Sequence, residues 1–172
     1  AIIRVKADNK TIVFSGDLGR PNDAIMHPPA RVDRADYVIM ESTYGDRAQE
    51  KGKDPMHELG EIITATAQRG GSVLIPSFAV GRAQTLIYFI AQLKQKNKIP
   101  DIPVYVDSPM ATNVSDLFCG STNLHKLNST TCARVFESVT YTRTVEESKM
   151  LDHMTSPCVI ISASGMMEGG RI

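Results

Sequence analysis

The chain has 172 residues, 42% of them hydrophobic, and is long enough to bury a core of its own. Nineteen basic residues balance nineteen acidic ones, so net charge gives no argument for nucleic-acid binding, and any such surface has to be local. No apolar run approaches the ~18 residues of a membrane span. The three cysteines have no CxxC spacing, which argues against a disulfide framework and against a thiolate zinc site. Their number and spacing fit a reducing cytosol.

The first predicted elements are a hairpin and a third strand. Residues 3–6 and 11–14 read as two strands joined by a turn at Asp8-Asn9. Residues 37–40 form a continuous apolar run, which predicts a strand that is buried on both faces. The second strand runs into FSGDLGR with Asp17, and the third ends at Glu41.

From Asp54 onward, predicted strands alternate with helices. Strands are predicted at 73–75, 104–106 and 159–161, and helices begin at Asp54-Pro55, near Gly81, at Ser108-Pro109 and at Thr144, which forms a capping box with Glu147. Residues 119–143 are predicted to be irregular. The alternation predicts an α/β fold with a Rossmann-like, mostly parallel sheet flanked by helices.

Small or acidic polar residues end strand after strand. In a parallel α/β sheet, ligands bind beyond the carboxyl ends of the strands. Each such residue alone is also explained as a turn or N-cap residue, but their recurrence predicts one polar edge. The residues are Asp17, Glu41, Ser77, Asp107 and the pair Ser162 and Ser164.

Two glycine-containing stretches, residues 77–84 and 164–171, lead from a strand end into a predicted helix. Helix N-termini favour anions, and Arg82 and Arg171 add guanidinium groups suited to phosphate. Neither stretch matches a P-loop or GxGxxG. A tight turn with a surface arginine is the alternative.

The four histidines, at positions 27, 57, 125 and 153, are isolated in the sequence. A catalytic zinc ion needs at least three protein ligands, so this chain is not expected to assemble a zinc site alone. If Asp17 binds a metal, its partners lie elsewhere. The strand-like first residues and the glycine-rich last ones predict the middle of a longer protein.

Five stretches in one order resemble the β-CASP family of the metallo-β-lactamase superfamily, across the whole chain. The resemblance is closest to RNA-processing exonucleases of bacteria and archaea and to the endonuclease of pre-messenger RNA 3′-end processing. It implies that residues 1–45 are the C-terminal part of a lactamase segment of αββα fold, and residues 46–172 a β-CASP domain that is incomplete at its C-terminal end. The stretches are FSGDLGR (14–20), ESTYGDR (41–47), IPSFAVGRAQ (75–84), VDSPMA (106–111) and SASGMMEGGR (162–171).

The resemblance also implies residue roles. Asp17 is implied as a catalytic residue and as the metal ligand that bridges two zinc ions. Glu41 is implied as a catalytic acidic residue near that centre. The residues implied to line the path of the substrate phosphates are Ser77, Gly81, Arg82, Ala83, Gln84, Ser164, Gly165 and Met166.

The implied function is that of a cytoplasmic, zinc-dependent ribonuclease that hydrolyses RNA phosphodiester bonds. Two zinc ions are expected in the full-length parent. This chain lacks the family's HxHxDH motif and later histidines, so alone it is expected to bind no zinc and to be inactive. RNA is the implied partner, no membrane is expected, and a homodimer of the full-length protein is allowed.

Two alternatives stay open. One is a non-catalytic β-CASP subunit that binds RNA in a processing complex. The other is a nucleotide-binding Rossmann domain, against which the missing glycine fingerprint argues. Exonuclease and endonuclease action are both compatible with the sequence.

Overall fold

The computed structural model describes residues 1–48, 52, 54–163, 165 and 169. The chain divides into two compact units, Ala1–Gly52 and Lys53–Ile172. Within the described ranges, none of the helices has the length and apolar character that crossing a membrane requires.

The first unit contains a three-stranded sheet of β1 (Ile3–Ala7), β2 (Lys10–Phe14) and β3 (Tyr37–Ile39). Strands β1 and β2 are antiparallel. Asp8 and Asn9 between them have φ angles of 48° and 61°, the left-handed pair that a tight type I′ hairpin turn requires. The predicted hairpin is therefore confirmed. Strand β3 adds to β2 in parallel.

The predicted burial of the third strand is wrong. The residues of β3 are each between 57% and 59% exposed. Strand β3 lies beside β2 at the edge of the sheet, and the described part of this unit has no helix to cover either face. An apolar run indicates a strand, but burial depends on which layers cover it.

The second unit contains a four-stranded sheet in the order β4-β7-β5-β6, with every neighbouring pair parallel. The predicted α/β fold with a parallel sheet flanked by helices is confirmed. The strands are β4 (Val73–Ser77), β5 (Val104–Asp107), β6 (Thr140–Tyr141) and β7 (Val159–Ala163), and the helices are α1 (Pro55–Gln68), α2 (Arg82–Gln95), α3 (Pro109–Gly120), α4 (Ser129–Phe136) and α5 (Val145–Leu151).

One face of this sheet supplies much of the core. The register places Val104 beside Val159 and Val106 beside Ile161, so these four buried side chains lie on the same face. Each helix from α1 to α4 also contributes buried side chains. Burial of these apolar surfaces stabilises the unit by about 25 cal/mol for each Å² removed from water.

Three helix starts follow the local capping signals. Asp54 Oδ1 accepts a hydrogen bond from the N–H of Met56, and Ser108 Oγ accepts one from the N–H of Ala111. Thr144 and Glu147 form the reciprocal capping box at the start of α5. These predicted starts are confirmed, because a side chain next to the helix end satisfies backbone donors that no helical carbonyl can reach.

The prediction that residues 119–143 are irregular is wrong. They contain α4 and β6. Asn128 caps α4 by accepting a hydrogen bond of 2.8 Å from the N–H of Thr131, and three residues of the helix, Cys132, Val135 and Phe136, are buried. Packing against α2 and α3 outweighs the weak helix propensity of the Ser and Thr residues in this segment.

Candidate functional site

Strands β2 and β3 bring Asp17 and Glu41 to one end of the first sheet. Since the two strands are parallel, their carboxyl ends lie side by side. The N–H of Ser15 donates to the carbonyl of Ile39 at 2.9 Å, and Ser15 Oγ accepts from the N–H of Glu41 at 3.1 Å. The two strand ends are thereby joined just before the candidate residues.

The Glu41 carboxylate holds the loop that carries Asp17. Glu41 Oε1 accepts a hydrogen bond of 2.6 Å from the N–H of Leu18, the residue after Asp17. This bond, with a further one from the Thr43 side chain, lowers the pKa of Glu41 below its ordinary value. Glu41 is therefore ionised at neutral pH, and it fixes the backbone beside Asp17.

Gly16 is needed for the shape of this loop. Its φ angle is 54°, and a Cβ atom at this position would lie 2.9 Å from the carbonyl oxygen of Ala1. A side chain here would therefore meet both backbone strain and a close contact. The glycine of the SGD stretch allows the chain to turn directly before Asp17.

Asp17 is exposed and lines a cavity of about 470 Å³ together with Asp23 and His27. Asp23 Oδ1 accepts hydrogen bonds from the N–H groups of Ile25 and Met26 and so stabilises a turn. No HxH-type spacing marks His27 in the sequence, so sequence reasoning did not associate it with Asp17.

The described residues do not by themselves fit a zinc centre. Among them there is no group of three or more histidine, cysteine, aspartate or glutamate side chains that could hold a metal ion, and a zinc site needs at least three protein ligands. Asp17 is a single exposed carboxylate at the end of a strand.

In the second unit, three of the predicted strand-end residues do share one edge of the sheet. The register aligns Asp107 with Ser162, and Ser77 ends the neighbouring strand. Ser162 Oγ donates to the carbonyl of Asp107 at 3.0 Å, and all three side chains are buried. That Asp17 and Glu41 share a polar edge with them stays a prediction, since those two residues belong to the first unit.

The buried carboxylate of Asp107 connects the sheet to the segment that follows β6. Its Oδ1 atom accepts a hydrogen bond of 2.5 Å from Thr142 Oγ1, and its Oδ2 atom accepts one of 2.8 Å from Ser148 Oγ. These two hydrogen bonds satisfy both oxygens of a side chain that is removed from water. The structure therefore gives Asp107 a role in fixing β6 and α5.

The start of α2 uses its own backbone donors. The N–H groups of Gly81, Arg82 and Ala83 all donate to acceptors in the preceding loop or in the first turn of the helix. Those three N–H groups are therefore not free for an anion, and the predicted phosphate contact at this helix end stays a prediction that rests on the exposed side chain of Arg82. The acceptors, at 2.7 to 3.2 Å, are Gln84 Oε1, the carbonyl of Val80 and the carbonyl of Phe78, respectively.

Gln84 is fully buried. Its Nε2 atom donates to the carbonyl of Ala79 and to Ser115 Oγ, both at 3.1 Å, while Oε1 accepts from Gly81. Ala83 beside it is also buried. A contribution of these two side chains to substrate binding would be indirect, through the shape of the loop.

The last predicted stretch is described only in part. Gly165 is exposed, with a φ angle of 48°, and its carbonyl accepts a hydrogen bond from the N–H of Gly169. Ser164 and Met166, implied as substrate-binding residues, and Arg171 lie outside the described residues.

Comparison with known proteins gives related sequences across the whole chain. Ribonuclease TTHA0252 of Thermus thermophilus is 36% identical over 181 aligned residues, which cover 100% of this chain and 41% of the relative. The RNase J-like protein of Methanocaldococcus jannaschii is 32% identical, and the alignment again covers 100% of this chain and 41% of the relative. Cleavage and polyadenylation specificity factor 73 of Drosophila melanogaster is 29% identical over 99% of this chain and 25% of its own length.

The chain thus spans 41% or less of the length of these three relatives. The family model described as the Beta-Casp domain matches residues 83–172, just over half of the chain. The matched residues include α2 from Ala83 onward, the buried strand end at Asp107, and β7. The chain belongs to the β-CASP family.

Proposed function

We propose that the intact protein is a ribonuclease that hydrolyses RNA phosphodiester bonds. The observation that carries the proposal is the similarity to Ribonuclease TTHA0252 along the whole chain. The geometry of the first unit supports it, because the ionised Glu41 binds the backbone N–H next to the exposed Asp17 at the end of two parallel strands.

Asp17 and Glu41 have different roles in this proposal. Asp17 is exposed and is proposed as the carboxylate that acts at the reacting centre. Glu41 is a positioning residue, because its carboxylate binds the N–H of Leu18 and so fixes the backbone next to Asp17. The two zinc ions that the resemblance implies would need ligands beyond the described residues, with Asp17 as one ligand.

The test is cleavage and binding of a labelled unstructured RNA by the intact protein. Asp17→Asn keeps the size of the side chain but removes its charge, and we expect loss of cleavage with RNA affinity unchanged. The control is Asp8→Asn, a matched exchange in the hairpin turn. Cleavage at the normal rate by Asp17→Asn would contradict the role of Asp17.

Glu41 gives a second, graded test. Glu41→Gln keeps an oxygen that can accept from the N–H of Leu18, whereas Glu41→Ala removes it. We expect Glu41→Ala to reduce the cleavage rate more than Glu41→Gln. Equal loss in both variants would show that the charge of Glu41, and not its hydrogen bond, matters.

The same assay tests the alternative of a non-catalytic subunit, which predicts RNA binding without cleavage by the unaltered protein.

We further propose that residues 1–45 belong to a lactamase segment and 46–172 to the β-CASP domain, and that the protein is cytoplasmic. The three free cysteines support a reducing location. A homodimer of the intact protein is part of the proposal and is tested by light scattering.

A further inference from the structure

The loop before α2 displays an aromatic ring to solvent. Phe78 is 69% exposed, and it alone is exposed among the seven aromatic side chains of residues 54–163. Val80, two residues later, is 67% exposed, and Met110 in the first turn of α3 is 64% exposed. These three residues, Phe78, Val80 and Met110, are termed the apolar edge patch. Single exposed apolar residues are ordinary, but a cluster at a ligand-binding edge indicates a partner.

Hydrogen bonds place the members of the patch on adjacent elements. One Gln84 nitrogen donates both to the carbonyl of Ala79, between Phe78 and Val80, and to Ser115 Oγ on α3. Ser115 Oγ in turn donates to the carbonyl of Ala111 at 2.8 Å, next to Met110. The loop of residues 78–81 therefore lies close to the middle of α3, at Ser115.

The backbone that carries the ring is fixed. The carbonyl of Phe78 accepts hydrogen bonds from Ser77 Oγ at 3.1 Å and from the N–H of Ala83 at 3.2 Å. A ligand that contacts the ring therefore orders only a side chain with two rotatable bonds, which keeps the entropic cost of binding low.

The charges around the patch suit a polyanion. Residues 76–85 and 108–115 contain no acidic residue, and the first one after them on α3 is the exposed Asp116. Arg82, four residues after Phe78, is exposed. The nearby carboxylate of Asp107 is buried and accepts hydrogen bonds from Thr142 and Ser148. An exposed ring and a cation on one short segment form the combination with which proteins bind single-stranded nucleic acids.

We propose that Phe78 is a stacking platform for an unpaired base of the RNA, with Val80 and Met110 as its apolar border and Arg82 at the adjoining phosphate. This inference rests on the proposed function, from which it takes RNA as the substrate class, and adds how a base is held. A protein partner is disfavoured, because three side chains cannot supply the roughly 1,200 Å² that stable protein interfaces bury.

The experiment compares two ligands of equal length and charge with the intact protein. One is a fluorescent oligoadenylate and the other is the same ribose-phosphate chain without bases, and binding is measured by anisotropy. We expect Phe78→Ala to weaken oligoadenylate binding about tenfold and to leave the abasic ligand unaffected. Phe78→Tyr keeps a ring and is expected to bind both ligands like the unaltered protein.

A matched control is Ile62→Ala, which removes an apolar side chain that is 53% exposed on α1. It is expected to change neither affinity. Since Phe78 is mostly exposed, its variants are expected to unfold at the same temperature as the unaltered protein, which circular dichroism checks.

Three results would overturn the stacking role while leaving the proposed function intact. The Phe78→Ala variant could bind both ligands normally, or it could bind both ligands more weakly by the same factor. It could also keep its RNA affinity but unfold at a lower temperature, in which case the ring packs against protein. If the unaltered protein neither binds nor cleaves RNA, the proposed function fails and this inference fails with it.

Discussion

The side-chain nitrogen of Gln84 lies 3.1 Å from Ser115 Oγ, so a buried amide on α2 is hydrogen-bonded to a buried hydroxyl on α3. The other hydrogen bonds of the same amide, to Gly81 and Ala79, hold the loop that displays Phe78. One side chain therefore connects the shape of the loop to the packing of two helices.

We expect Gln84→Ala to lower the free energy of unfolding by about 2–4 kcal/mol, because buried polar groups of the loop and of Ser115 lose their partner. Urea denaturation measures the change. Gln95→Ala, at the exposed end of the same helix, is the matched control and is expected to cost less than about 0.5 kcal/mol. Equal effects of the two exchanges would contradict the role of the buried amide.

His125 is a second buried polar group, and its ring stacks on Phe118 with centroids 3.9 Å apart. Its Nδ1 atom accepts from the N–H of Leu127, so Nε2 carries the proton and donates to the carbonyl of Phe118. We expect His125→Ala to lower the free energy of unfolding by about 2–4 kcal/mol.

Thermal and urea unfolding measure the effect of His125→Ala. The control is His57→Ala on α1, where the side chain is largely exposed and little change is expected. A loss below about 1 kcal/mol for His125→Ala would show that neither the stack nor the hydrogen bonds contribute to stability as inferred.

The hydroxyl of Tyr141 is buried and has no hydrogen-bond partner within the described residues. Burial raises the pKa of this hydroxyl, and the nearby Ser115 side chain lowers it to a smaller extent. Tyr141→Phe is therefore expected to leave stability unchanged or to raise it by about 1 kcal/mol, since it removes an unpaired polar atom. A loss of more than about 1 kcal/mol in urea unfolding would identify a missing partner for the hydroxyl.

Alkaline pH is expected to destabilise the second unit through Cys132. Burial raises the pKa of this thiol from 9.0 to about 12, with the Cys119 thiol adding to the effect. The unfolded chain loses this proton first, so the stability that the buried thiol contributes is complete below pH 9 and is lost as the pH rises toward 12.

Urea unfolding at several pH values in that range measures the slope of the free energy of unfolding against pH. The experiment is done in a Tyr141→Phe background, because burial also raises the pKa of Tyr141 and this group would add to the slope. Cys132→Ala is expected to flatten the slope, whereas Val135→Ala on the same helix, which removes no titrating group, is expected to leave it unchanged. An unchanged slope in Cys132→Ala would contradict the assignment.

Arg82 is expected to contribute to RNA affinity by charge. Arg82→Ala should weaken binding of both the oligoadenylate and the abasic ligand and reduce the slope of log affinity against log salt by about 0.7, the value for one phosphate contact in a single strand. Arg134→Ala, an exposed arginine on α4, is the control. An unchanged slope would remove Arg82 from the phosphate path.

The elements that the sequence predicted correctly are those with local signals. Asp8-Asn9, Asp54 and Ser108 act on backbone groups only a few residues away, so the hairpin and the helix starts follow from short stretches. Helix α4 was not predictable in this way, because its stability comes from the burial of Cys132, Val135 and Phe136.

In the candidate site, too, the local features were predictable from the sequence and the contacts between distant residues were not. That Asp17 and Glu41 follow strand ends is visible in the sequence, but the bond from Leu18 to Glu41 joins residues 23 apart, and the one from Gln84 to Ser115 joins residues 31 apart. The exposure of β3 was missed because apolar periodicity records which residues prefer burial and not which layers cover them.

The buried carboxylate of Asp107 has an evolutionary consequence. Because hydroxyl groups of the protein hold it from within, the framework at this strand end does not depend on what the neighbouring loop binds. Side chains such as Phe78 and Val80 can then be exchanged among relatives without disturbing the sheet. Point mutations at these two positions would therefore change the exposed surface of the loop on an unchanged scaffold.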